Sequence, residues 1–95
     1  MNADPTERPM YNVTRIETGE PGATPEIVNP TPLGISAAVF HAIDLVNEHV
    51  ALGFKSRGPL RRFVPPGVRQ RYILIHNDGR GVIVDVSEAR EEVVS

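Results

Sequence analysis

Cysteine is absent from the chain. A disulfide scaffold, a thiolate zinc site and a cysteine nucleophile go with it. No apolar run approaches the roughly 18 residues of a transmembrane span. Met1-Asn2-Ala3-Asp4-Pro5 supplies neither a basic n-region nor an apolar h-region, so no secretory signal is expected. Internal repeats and low-complexity tracts are missing as well. The net charge of −2 is too close to neutral to name a partner through bulk electrostatics. At 95 residues there is room for one domain. The expected location is a virion or the cytoplasm, with no membrane partner.

Catalytic signatures are also lacking. Gly53-Phe54-Lys55-Ser56-Arg57-Gly58 has the glycine spacing of a phosphate-binding loop, but Pro59 stands where its lysine belongs. Gly79-Arg80-Gly81 lacks the third glycine of a dinucleotide fingerprint, and no serine sits in a G-x-S-x-G setting. His76 beside Asp78 reads as a strand-end histidine. No catalytic residue, cofactor or metal site is expected, and the protein is read as not an enzyme.

What the chain does have is segmentation. Six of the nine prolines fall in the first 32 residues. Net charge runs −3 over residues 1–35, −2 over 36–54, +6 over 55–80 and −3 over 81–95. Nine arginines stand against one lysine, which suits interfaces that use planar, weakly hydrated cations.

Residues 1–31 read as an extended, proline-rich, acidic arm. Proline removes backbone donors, and apolar residues are too sparse to offset chain entropy. Tyr11–Thr18 is rich in β-formers and is a candidate edge strand, closed by the Glu20-Pro21-Gly22 turn. Tyr11, Val13, Ile16, Ile27 and Val28 are the points by which such an arm would hold a partner, through strand addition or pocket filling.

The spacing predicts a helix from about Pro32 to Leu52, with Thr31 as N-cap, Ser36 as its rival, and Gly53 just past the end. Ile35, Val39, Phe40, Ile43, Val46 and Val50 form one apolar stripe. It is expected to pack on the hairpin against Tyr72, Leu74, Val82 and Val84. Ala38, Ala42, Leu45 and Leu52 form a second stripe, expected to meet another chain. His41, Asp44 and Glu48 share the polar face, and His49 lies at the rim of the second stripe.

Beyond the helix, Leu60–Val64 is a short strand candidate. Residues 69–76 are a strong strand, apolar on both faces at its centre, and 81–86 are another. Asn77-Asp78-Gly79-Arg80 between them reads as a hairpin loop. Ser87 then caps a short helical turn. Residues 55–71 hold six positive charges and no acid, with Phe54, Phe63 and Tyr72 within or beside them. Lys55, Arg57, Arg61, Arg62, Arg69 and Arg71 are therefore the expected contacts to an anionic partner.

The expected fold is α+β: an arm (1–31), a domain (32–90) with one long helix on a small antiparallel sheet in the order α-β-β-β, and an acidic tail (91–95). The expected function is non-enzymatic. The protein would dock onto a large assembly through its arm, most concretely as a bacteriophage capsid-decoration or head–tail joining protein. Its partners would be protein subunits, with several copies of the chain. The alternative is a small dimeric nucleic-acid-binding regulator using residues 55–71.

Overall fold

Asn77-Asp78-Gly79-Arg80 reverses the chain between its two strongest strands. Gly79 takes φ 94°, which a tight hairpin requires and a side chain resists. The Asp78 carboxylate locks the turn, accepting from the Arg80 backbone N–H at 2.9 Å and from Arg80 Nε at 2.7 Å. Those bonds, with the backbone one leading, hold the Asp78 carboxyl below the usual carboxylate range.

The computed structural model describes residues 9–19 and 21–89. The expected tail at 91–95 lies outside the described residues. The elements run β1 Tyr11–Thr18, β2 Glu26–Ile27, α1 Ile35–Ala51, β3 Lys55–Leu60, β4 Val68–Ile75 and β5 Gly81–Glu88. They form a small α+β domain, one helix on an antiparallel sheet ordered β2-β1-β5-β4-β3. Among the described residues, no helix is long and apolar enough to cross a membrane.

In its described part, the segment expected to be an arm belongs to the sheet. Along its whole length β1 pairs with β5, from Tyr11 opposite Glu88 to Thr18 opposite Gly81. Its other side takes β2. The domain therefore begins well before residue 32. Tyr11 and Val13 are fully within the core, with Val84, Val86, Tyr72, Leu74 and Phe54. They stabilise this fold and cannot anchor it to a partner. The physical reason is that the central strand β5 carries apolar groups at Val82, Val84 and Val86, and a single hairpin neighbour leaves one of its edges open.

Three further expectations are corrected. The helix starts at Ile35 with Gly34 at the N-cap, because Leu33 is held extended by paired bonds with Tyr11 of 2.7 and 2.8 Å. The first strand after the helix is Lys55–Leu60, not Leu60–Val64. Ser87 starts no helical turn: β5 continues to Glu88, because Tyr11 and Asn12 offer it pairing partners.

The two helix stripes are divided differently from expectation: Val46 of the first stripe is buried as expected and Leu52 of the second is exposed, while most of the rest change places. The buried side of α1 is Ala38, Ala42, Val46 and His49, with Leu45 packed partly against the core. Ala38 and Ala42 are 0% exposed and form no interface, while Leu45 is half-buried against the core. Large groups on the sheet side, Tyr11, Tyr72, Phe54 and Leu74, already fill the space, so the helix meets them with its smallest side chains. Phe40, Ile43, Val50 and Leu52 are left outside.

Candidate docking surfaces

Three surfaces and one small cavity among the described residues are candidates for contact with other molecules. The first surface is the outer flank of α1. Val39, Ile43 and Val50 are separated by roughly 20–40° around the axis, and Phe40 stands beside them. Phe40 is 69% exposed; Leu52, equally exposed at the helix C-cap, lies on the opposite side of the axis from Ile43. Asp44 and Glu48 lie next to this flank, and α1 carries no lysine or arginine.

The second surface is basic. Lys55 and Arg57 on the edge strand β3 are exposed, as are Arg61, Arg62 and Arg69 around the following loop. Phe63 sits at φ 58° and is 104% exposed, so its ring is not packed against the described residues. Arg71 does not belong to this set. It donates to Asp85 twice, from Nε at 2.8 Å and Nη2 at 2.9 Å. That pairing raises the Arg71 pKa further and consumes its charge. Arg61 also reaches Tyr72 electrostatically: burial pushes the Tyr72 hydroxyl up, and the nearby guanidinium opposes it.

The third surface is the face of the sheet away from the helix. Antiparallel pairing aligns Ile16, Ile83 and Ile73 across three strands, with Arg57 next in the row. Ile27, opposite Thr14, and Ile75, opposite Gly81, lie on the same side. Of the residues expected to hold a partner, Ile16 and Ile27 thus share one surface. Val28 is half-buried, its N–H donating to the Val13 carbonyl at 2.9 Å.

A cavity of about 170 Å³ lies where the end of α1 meets β1 and β5, lined by Arg15, Glu17, His49, Leu52, Phe54 and Arg80 among others. Its charges are internally matched. Arg15 pairs with Glu17 at 2.9 Å, and Arg80 with Asp78 at 2.7 Å. Both His49 nitrogens are committed: Nε2 accepts from Arg15 Nε at 3.2 Å, so Nδ1 carries the proton and donates to the Leu45 carbonyl at 2.8 Å. Phe54 meets His49 and His76 edge-on, with Arg80 above its ring at 5.3 Å. The two ion pairs leave the cavity without net charge from these groups.

Two features escape sequence reasoning. The outward flank of α1 was signalled only by the alanines at 38 and 42, whose small size marks the closest approach to the sheet. Asn29, buried at 4% exposure, had no signal beyond its place between two prolines. No family model, curated protein or solved structure matches the chain.

Proposed function

We propose that the protein is a non-enzymatic interaction subunit of a larger protein assembly, docked through the outer flank of α1. The observation that carries this reading is the exposure of Phe40, Ile43 and Val50 on one flank of α1 in a domain whose core is already closed without them. An apolar flank of this kind is covered in a working molecule. Its neighbours Asp44 and Glu48 define the partner's chemistry: an apolar surface rimmed by basic groups. The narrower form is an accessory or minor subunit of a bacteriophage particle, such as a capsid-decoration or head–tail joining protein. It rests on the short chain, its near-neutral charge and the absence of catalytic signatures.

The test is sedimentation of the native material that contains the chain. Wild type is expected in a particle far larger than a dimer. The variant Phe40→Glu, folded by circular dichroism, is expected to run free of it. Recovery of wild type only as free chain, or full retention of Phe40→Glu in the particle, overturns the proposal.

A second reading, a nucleic-acid-binding regulator, is favoured by one observation: the unsupported Phe63 ring next to Arg61 and Arg62, with Lys55 and Arg57 on the adjacent strand. Cations neutralise phosphates, and an exposed ring stacks on a base. Retention of DNA by the isolated chain that falls steeply with salt, and is lost in Arg61→Glu/Arg62→Glu, would favour it over the first.

A further inference from the structure

We propose that the uncovered face of the sheet binds a second copy of the same chain, forming a face-to-face dimer whose two-fold axis runs parallel to the strands through β5. This goes beyond the docking role of α1 and uses a different surface.

A solvated antiparallel sheet face reads polar, because only the other face needs apolar groups. Here the centre of the face away from α1 is aliphatic. Ile16, Ile83 and Ile73 form a continuous row, extended by Ile75 and Ile27, which are 50% and 58% exposed. α1 packs on the opposite face, where Val13, Val84, Tyr72 and Leu74 are buried. No aromatic residue stands on the uncovered face, so it is not a stacking platform for bases.

Strand addition is not the route by which this sheet associates. The edge strand β3 carries Lys55, Pro59 and a register shift between Arg57 and Leu60. The opposite edge, β2, is two residues long. Both are devices that blunt an edge. Association through the flat face remains.

The area suffices. Strands lie about 4.8 Å apart and rise about 3.3 Å per residue, so the paired strands present roughly 500 Å². Two copies bury roughly 1,000 Å², the lower limit of a specific interface. Sheets pack face to face in this manner about 10 Å apart. The Arg71–Asp85 pair inside the contact is already neutralised by its two hydrogen bonds.

Charge selects the axis. Lys55 and Arg57 lie on this face at one edge only. A two-fold axis perpendicular to the strands would place these cations over their own copies. An axis parallel to the strands through β5, the middle strand in the order β2-β1-β5-β4-β3, places β3 over the partner copy's β2 instead. Ile27, which β2 carries on this side opposite Thr14, then lies level with Leu60 of the second copy and two residues along from its Arg57.

The test is sedimentation equilibrium of the purified chain from micromolar to millimolar concentration. Wild type is expected to dimerise with a micromolar constant. Ile83→Lys is expected to be monomeric with an unchanged circular dichroism spectrum. Phe40→Glu is expected to dimerise like wild type, so this proposal and the docking role of α1 can fail separately. At low salt Ile27→Glu should tighten the dimer several-fold, while Ile27→Lys should loosen it at least tenfold. If Ile83→Lys loses its fold, Ile27→Lys at the exposed edge decides in its place. A wild-type monomer at millimolar concentration, or a dimer indifferent to both lysine substitutions, overturns the proposal. Equal weakening by Ile27→Glu and Ile27→Lys overturns the axis on which it rests.

Discussion

Asn29 Oδ1 accepts a 2.7 Å hydrogen bond from the Val13 backbone N–H. This is the bond that fastens the segment returning from β2 onto β1. The same side chain donates from Nδ2 to Asn12 Oδ1 at 3.2 Å and to the Thr31 carbonyl. Asn29→Leu leaves the Val13 N–H and the Thr31 carbonyl without these partners. Loss of about 1–3 kcal/mol is expected, the penalty for an unsatisfied buried group. Urea denaturation checks it, and Asn29→Asp should be milder because it keeps the acceptor.

Val13→Ala should cost roughly 2–3 kcal/mol by cavity formation at a site with no exposed surface. Deleting residues 1–18 should do more, abolishing cooperative unfolding, because β5 loses its neighbour along its full length. Limited proteolysis separates this from a dispensable arm. In the intact chain residues 11–18 should resist cleavage as well as β5 does.

On α1 the expected costs follow the observed face. Phe40→Ala should shift stability by no more than about 0.5 kcal/mol, as at an exposed position free of special contacts. Ala42→Leu should destabilise by about 1–3 kcal/mol, because the sheet leaves no room for three added carbons. Thermal melting of the two variants, side by side, distinguishes the faces.

Tyr72 gives the fold an alkaline limit. Burial raises its folded pKa above the ordinary value, so the folded state keeps this proton while the unfolded chain releases it. Stability from this source is complete below about pH 10 and declines as pH rises beyond it. Tyr72→Phe should flatten that decline in melts taken between pH 9 and 11. It should also lose a little stability at neutral pH, since the hydroxyl donates to Gln70 Oε1 at 3.2 Å.

Asp85→Ala should cost about 1.5–3 kcal/mol, the value of hydrogen bonds to a charged group, by stranding Arg71 on the sheet. Replacing both residues with threonine should recover most of the loss in a double-mutant cycle.

Local signals were legible and distant ones were not. The Asn77–Arg80 loop was readable from four residues, and its register carries far: with Ile75 opposite Gly81, Arg71 must oppose Asp85. The ion pair was therefore within reach of the sequence, although Arg71 reads from charge alone as a free contact. The strand at 11–18 was visible in its β-formers, yet its partner lies about 70 residues away, and local pattern says nothing about such pairing. The helix was legible in its extent, but its buried face was not. Counting apolar residues favours the bulky stripe, whereas packing against a sheet already filled by tyrosines and phenylalanine favours alanine. The candidate surfaces inherit these errors: exposure at Phe40 and burial at Ala38 are two sides of one misplaced rotation.

The pairing of β1 with β5 also orders events in time. A ribosome releases Tyr11–Thr18 long before Gly81–Glu88 exists. In the interval Val13 has no strand to shelter it except the two-residue β2. The hairpin that supplies β5 is made after the other described elements, and its arrival seats the first strand, the helix and the core together. Nascent chains halted before residue 81 should therefore stay protease-sensitive throughout, and the sheet should close in one late step once Glu88 has emerged rather than growing strand by strand.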